Sequence, residues 1–290
     1  MEISFLDKES LNPVSEKLAS REARGVTYDM HIHTCRSHDS DAMIEDIVKS
    51  ALDRGLSGIA ITDHLDVEYF EDQGRGKENI ASFKDALRMK STSSIDVLAG
   101  IEIGEAIWDI NIARNAISAA EYDVILGSVH AVKYKGIAIP YSKIDFSAFS
   151  DDDISGYFSA YLTDVKRTAE ELDFDVLSHL TGPLRYINGK YGKALCADEF
   201  LPQIYEILEI IIKKGIALEV NTSADSLIPD RSIIKVYADM GGELVTLGSD
   251  AHIAQRVGQG FDAAKSVLTS LGIKNICFYK NRKPYTCKIL

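Results

Sequence analysis

Seven short apolar runs, each followed by a segment of helical period, organise most of this chain. The runs cover 26–32, 58–62, 95–103, 123–129, 174–178, 216–220 and 244–248. Strands that alternate with helices pair in parallel through right-handed crossovers. Such a chain closes into a barrel or stays open as a doubly wound sheet. The placement of polar residues decides between them. His33, His64, His130, His179 and His252 each fall at or just past the C-terminal end of a predicted strand, as do Asp63, Glu102 and Asp250. An open sheet gathers its chemistry at one switch point, whereas a barrel brings every strand end to one mouth. Polar groups on at least six strands favour the barrel, and seven units make it smaller or more distorted than the eight-fold form.

The intervening segments set the helices. Ser40 or Asp41 is the expected cap of a helix with apolar positions Ile44, Ile47, Val48, Ala51 and Leu52, closed by Gly55. Others are expected near 78–90, 109–120, 150–172, 201–214, 232–240 and 260–270, with an earlier one over 13–24. The segments 275–280 and 284–289 have strand character and would add an edge strand or hairpin. No repeat, low-complexity stretch or linker divides the chain, so residues 1–290 are expected to form a single α/β domain.

The first strand carries His31 and His33, two apart, so both imidazoles point to one face, and Asp29 would share it. Hydrogen-bonded polar residues near a sheet end would explain such a pair, as would two nitrogen ligands of one metal ion. The recurrence decides: six of the seven histidines lie at strand ends, with His38 in the following loop. Together with Asp63, Glu102 and Asp250 they exceed the donor needs of one ion and point to two or three. Clusters of this kind clamp the oxygens of an in-line phosphoryl displacement and generate hydroxide near neutral pH. Mixed imidazole and carboxylate ligation suits zinc, iron or manganese.

Composition narrows the partners. The formal net charge is −12, which argues against general binding to phosphate backbones. An anionic substrate then needs local positive charge from metal ions or a few arginines. The four cysteines form no C-x-x-C pair and no disulfide framework. Cys35, beside the metal motif, reads as a small buried thiol. Without a leader-like start or a membrane-length apolar run, the chain reads as a soluble protein of the reducing cytoplasm.

The ordered set Asp29-Met-His-Ile-His-Thr34, Ile61-Thr-Asp-His64, Gly100-Ile-Glu102, Gly127-Ser-Val-His130, Ser178-His179 and Gly248-Ser-Asp-Ala-His252 resembles the PHP (polymerase and histidinol phosphatase) superfamily of metal-dependent phosphoesterases. The resemblance implies a distorted (βα)7 TIM-like barrel with a trinuclear site. His31, His33, Glu102 and Asp250 would hold metals, Glu102 bridging, and His64, His130, His179 and His252 would complete the shells. The family places a further ligand six residues after the second histidine, here Asp39, with His38 as the alternative.

The closer likeness is to the histidinol-phosphatase branch. It rests on His179-Leu-Thr-Gly-Pro-Leu-Arg185-Tyr, Leu218-Glu-Val-Asn-Thr-Ser223 and Gly241 to His252 followed by Val257-Gly. That branch implies Arg185 as a phosphate holder, its planar fork of donors suiting the task. No basic residue stands between Asn221 and Pro229, so a second phosphate contact falls to Arg231 or Arg256. Asp250 or His252 would protonate the leaving alkoxide. Glu219 faces either the lower core or the mouth. The resemblance implies a phosphomonoesterase for a small phosphorylated metabolite, first of all L-histidinol phosphate. Rivals are another phosphate ester or nucleotide, a polymerase-associated exonuclease, and a non-catalytic metal-binding module.

Overall fold

A computed structural model describes residues 25–67, 75–224 and 226–289; the helix expected over 13–24 lies outside them. The strands are β1 (Tyr28–Ile32), β2 (Gly58–Ile61), β3 (His64–Asp66), β4 (Asp96–Gly104), β5 (Val124–Ser128), β6 (Val176–Leu177), β7 (Ala217–Asn221) and β8 (Val245–Gly248). All pair in parallel, in the order β1-β2-β4-β5-β6-β7-β8. The ring nearly closes where β1 meets the end of β8: the His33 N–H donates to the Ala251 carbonyl at 3.0 Å, and the Asp250 N–H to the His31 carbonyl at 2.8 Å. The architecture is a distorted (βα)7 barrel.

Strands β2 and β3 act as one interrupted strand. Gly58 pairs with Asp96 and His64 with Glu102, in a single register along β4. The apolar run of this strand ends at 62, but pairing resumes beyond it because the Glu102 N–H reaches the Asp63 carbonyl at 3.2 Å.

The helices are α1 (Ile44–Asp53), α2 (Arg75–Thr92), α3 (Ile110–Ser118), α4 (Asp151–Glu171), α5 (Leu201–Lys214), α6 (Arg231–Asp239) and α7 (Phe261–Ser270). Ser150 caps α4, its hydroxyl accepting the Asp153 N–H, and Gly215 closes α5 with φ 69°. Helix α1 departs from expectation, starting at Ile44 without a side-chain cap. Ser40 is occupied elsewhere: its hydroxyl reaches the carbonyls of His252 and His33, tying the loop after β1 to the mouth. Ile44, Ile47, Val48 and Ala51 of α1 are buried, while Leu52 is exposed. Full burial of such an Ile or Val side chain contributes about 1.5–3 kcal/mol.

A bulge in β1 determines what the barrel holds. Asp29 lies opposite Ile59, yet Ile32 lies opposite Ile61, so β1 carries one extra residue. Ile59 and Ile61 belong to the outer layer between sheet and helices, whereas Tyr28 and Met30 pack inside the barrel with Ala60, Leu98, Val124, Leu126, Val176 and Ala217. The extra residue lets Met30 and His31 both turn inward. Asp29 therefore does not share the face of His31 and His33, contrary to simple alternation. Its carboxylate accepts the N–H groups of Ser249 (2.9 Å) and Gly258 (2.8 Å).

The interior thus has an apolar lower half and a polar upper half. Strands β9 (Asn275–Lys280) and β10 (Lys283–Lys288) form an antiparallel hairpin, as their strand character suggested, and it caps the lower end. Phe278 stacks on Tyr28 at 3.9 Å between ring centres. The hairpin turn meets acids at the strand starts. The Asn281 N–H donates to Asp123 at 3.1 Å and the Arg282 Nε to Asp175 at 2.5 Å. Among the described residues, no helix is long and apolar enough to cross a membrane.

Candidate metal centre

The upper half of the barrel is lined by side chains from almost every strand end. β1 supplies His31 and His33, β3 His64, β4 Glu102, the end of β5 His130, the end of β6 His179, and the end of β8 Asp250 and His252. Two of these sit on left-handed backbone, His179 at φ 25° and Asp250 at φ 50°. Non-glycine residues seldom adopt that region, and it clusters at sites where surrounding structure enforces it.

Glu102 is the hub. It is fully buried, and five imidazoles surround its two oxygens. Oε2 lies 2.7 Å from His64 Nδ1, 3.4 Å from His31 Nε2 and 3.6 Å from His33 Nε2. Oε1 lies 3.0 Å from His179 Nε2 and 3.2 Å from His130 Nε2. The Ser128 hydroxyl donates to Oε1 at 2.6 Å and also contacts Ser178. Despite the 2.7 Å approach, Oε2 and His64 Nδ1 are both buried and neither is aligned for a hydrogen bond with any described residue.

Asp250 Oδ1 lies 3.3 Å from His33 Nε2, 3.6 Å from His252 Nδ1 and 3.7 Å from His31 Nε2. Asp39 Oδ2 lies 3.1 Å from His252 Nε2 and 3.6 Å from His64 Nε2. His38 lies 4.0 Å from Asp39 and from Asp66, with its ring centre 5.5 Å from that of His64, so Asp39 makes the shorter approach to the cluster histidines. All nine side chains expected as ligands, His31, His33, Asp39, His64, Glu102, His130, His179, Asp250 and His252, meet here.

The nitrogens that face away from the cluster are largely engaged. His31 Nδ1 lies 2.7 Å from Glu219, and His130 Nδ1 lies 3.0 Å from Asp66. His33 Nδ1 lies 3.1 Å from the Ser37 hydroxyl, which donates to Asp63 at 2.7 Å. His252 Nδ1 lies 2.9 Å from the Asp250 carbonyl. Outer partners of this kind fix which nitrogen of a ligating histidine is free. Two glycines make room for them. A Cβ on Gly248 would lie 2.0 Å from Glu219 Oε1, and one on Gly104 would lie 2.3 Å from Asp66 Oδ1.

Burial disfavours charge throughout, yet the carboxylates outweigh it. Against desolvation, Glu219, Glu102 and Asp250 hold His31 well above the usual imidazole value. Glu102 and Asp66 do the same for His64, and Glu102 with Asp66 for His130. Glu102 and Asp250 are held well below the carboxylate range by the surrounding histidines, despite their burial. Desolvation, with His64 and His252, pushes His33 down to about 3. Behind His130, desolvation and Asp66 push Glu105 up to about 8; its carboxylate accepts the N–H groups of His130 and Ala131.

The donor set fits divalent ions. His31 and His33 bring their Nε2 atoms within 3.0 Å of each other, close enough to share one cation. Four overlapping triads have ligand atoms grouped tightly enough to share an ion: His31–His33–Glu102, His33–His64–His252, His64–Asp66–His130 and Glu102–His130–His179. Oxygen and nitrogen donors without cysteine suit a divalent metal that handles phosphate.

Arg185 opens a π-helical turn (Arg185–Lys190) above the end of β6. It donates to the Ser223 hydroxyl at 3.0 Å, Ser223 donates to Asn221 at 2.7 Å, and Asn221 reaches Asp250 at 3.4 Å. This chain of bonds ties the guanidinium to the centre. Arg231, at the start of α6, and Arg256, on the turn Ala254–Arg256, are exposed. Neither guanidinium bonds to the cluster among the described residues. Glu219, Asp66 and Glu105 are buried supports to which the sequence motifs give no role. Cys35 is exposed rather than buried, because its loop faces solvent at the rim.

A family model described as PHP domain matches residues 29–223. The chain belongs to the PHP family. Among curated relatives of this PHP chain, a probable histidinol-phosphatase of Clostridium acetobutylicum is 30% identical over 270 residues, covering 90% of this chain and 100% of the relative. The histidinol-phosphatase of Lactococcus lactis is 28% identical over 279 residues, covering 88% and 95%. Its PHP fold also matches the crystal structure of histidinol phosphate phosphatase from Lactococcus lactis, complexed with zinc, L-histidinol and phosphate. The TM-score there is 0.69 at 22% identity, over 89% of this chain and 98% of that one.

Proposed function

We propose that this PHP protein is a metal-dependent phosphomonoesterase that converts L-histidinol phosphate to L-histidinol and phosphate, a step of histidine biosynthesis in the cytoplasm, with residues 1–290 acting as one domain. The observation that carries it is the buried Glu102 carboxylate, ringed by five imidazoles and tied through Asp250, Asn221 and Ser223 to a cationic phosphate fork at Arg185. Relatives named histidinol-phosphatase at 26–30% identity support the substrate.

Two or three ions of zinc, iron or manganese would be held by His31, His33, Glu102 and Asp250, by Glu102, His130 and His179, and by Asp39, His64 and His252. When bound, they supply Lewis-acid stabilisation of phosphate charge and lower the pKa of water. The chain does the rest. Arg185 grips the phosphate with a planar pair of donors, and Ser223 holds the guanidinium in place. Asp250, kept ionised, orients the imidazole of His33.

At the end of β8, His252 is the group that reaches solvent. Burial lowers its pKa, but Asp39 and Asp250 raise it above the ordinary imidazole value; in the form in which no metal occupies Nε2, that nitrogen can deliver a proton to the leaving alkoxide. Its roles as ligand and as acid predict different losses. As a ligand, His252→Gln sheds metal. As the acid, the variant keeps metal and slows alkyl phosphates more than an aryl phosphate with a good leaving group.

The deciding assay is phosphate release from L-histidinol phosphate with added Mn²⁺ or Zn²⁺, beside an aryl phosphate and other phosphate esters. Turnover of histidinol phosphate with kcat/KM above about 10⁴ M⁻¹s⁻¹, within the usual range for natural substrates, is expected. Slow cleavage of the aryl phosphate alone would remove the substrate assignment.

A further inference from the structure

We propose that Glu219 is a positioning residue that sets the metal affinity of the centre by holding two of its donors at once. This rests on the cluster binding divalent ions, and not on the identity of the substrate.

Glu219 projects from β7 into the barrel and is 1% exposed. Its two oxygens do different work. Oε1 lies 2.7 Å from His31 Nδ1. A carboxylate there accepts the Nδ1 proton, which leaves the Nε2 lone pair of His31 facing Glu102 and His33. Oε2 accepts the His179 backbone N–H at 2.7 Å and the Asn221 side-chain N–H at 3.2 Å. His179 sits at φ 25°, a conformation that persists only where neighbouring structure enforces it. Glu219 enforces it from one side. From the other, the His179 carbonyl accepts the Gly182 N–H at 2.7 Å and the Tyr161 hydroxyl at 3.2 Å. One carboxylate therefore spans β1, the end of β6 and β7.

Gly248 gives independent support. A Cβ at this position would lie 2.0 Å from Glu219 Oε1 and 2.7 Å from His31 Cβ. The glycine is the space that lets the carboxylate reach the imidazole. Gly104 opens the same kind of space for Asp66 behind His130. A buried acid with only a packing role would need neither the imidazole partner nor the clearance.

The test uses full-length apo protein titrated with Zn²⁺ against a competing chelator. Glu219→Ala is expected to weaken Zn²⁺ binding about 10–100-fold, the usual effect of removing such a partner. Glu219→Gln, which still accepts the Nδ1 proton, loses less. Excess Zn²⁺ restores most of the kcat of both. ¹⁵N-histidine NMR of the apo proteins, at a pH high enough for His31 to be neutral, is expected to show the Nδ1–H form of His31 in wild type and Glu219→Gln, and a mixture in Glu219→Ala. Gly248→Ala crowds both the carboxylate and the Cβ of His31 and is expected to weaken Zn²⁺ binding in the same sense. Glu219→Gln carries the test if Glu219→Ala does not fold.

Wild-type Zn²⁺ affinity and tautomer in folded Glu219→Ala would overturn the proposal. Wild-type protein that binds no divalent ion would overturn it together with the metal reading. Normal Zn²⁺ binding, weakened as expected in the variants but without hydrolysis of histidinol phosphate, would leave it standing and remove only the substrate.

Discussion

Four of the six histidines of the centre divide their two nitrogens between the cluster and a support. His31 uses Glu219, His130 uses Asp66, His33 uses Ser37 and behind it Asp63, and His252 uses the Asp250 carbonyl. The glycines behind two of these supports make a prediction at this scale. Gly104→Ala puts a methyl group 2.3 Å from Asp66 Oδ1 and 3.0 Å from His130 Nδ1. It is expected to cut activity at limiting metal at least tenfold, with a smaller effect at saturating metal; equal loss at both concentrations would mean a disrupted fold instead. The ligating residues were legible in sequence because the motifs repeat at strand ends. Their supports were not, because Asp66, Glu105 and Glu219 look like ordinary acids until the pairing partners are known. Glu219 and Asn221 occupy the inward register of β7 beside Ser178, which was the available signal for their orientation.

At the scale of elements, local irregularity shapes the site. The β1 bulge adds one residue so that Met30 fills the lower core while His31 and His33 line the upper half. A period-two reading of β1 put Asp29 on the wrong face because alternation holds only while register is constant. The break between β2 and β3 keeps Asp63 free to accept Thr34, Ser37 and Ser82, pinning the first loop over the mouth. The π-helical turn after His179 aims Arg185. Arg185→Ala is expected to raise KM for a phosphate monoester at least tenfold while metal content stays at the wild-type value. Unchanged KM would place phosphate recognition elsewhere, with exposed Arg231 or Arg256 as the next variants. Their distance from the cluster was not legible, because sequence spacing in loops carries no direction.

For the whole molecule, metal and protons compete for one polar half-barrel. In the metal-free protein His31, His64 and His130 have pKa values above the 6.5 they take unfolded, carboxylates outweighing desolvation. Protonated imidazoles therefore stabilise the apo fold fully below pH 6.5, and that contribution fades as pH rises through the folded values. Metal binding needs neutral imidazole and strengthens in the same direction. Thermal melts with and without Zn²⁺ should diverge as pH rises from about 6 to 9, the apo midpoint falling and the metal-induced increment growing. Parallel curves would contradict this electrostatic account.

The lower end of the barrel obeys other rules, and its independence can be measured. There the hairpin turn at Asn281 and Arg282 docks on Asp123 and Asp175, with Phe278 stacked between Tyr28 and Tyr285. The sequence showed strand character in this tail but not its berth, since antiparallel pairing is local and docking depends on the distant starts of β4, β5 and β6. Arg282→Ala removes a charged donor from a largely buried carboxylate and should cost about 1.5–3 kcal/mol in urea unfolding, the range for hydrogen bonds to charged groups. Because Glu102 and its histidines lie at the other end of the strands, kcat and metal content should stay within about twofold of wild type at 25 °C, where such a loss leaves most domains folded. A fall in kcat without a fall in stability would show that the hairpin reaches the centre through the barrel wall, and that the two halves of the interior are one coupled unit.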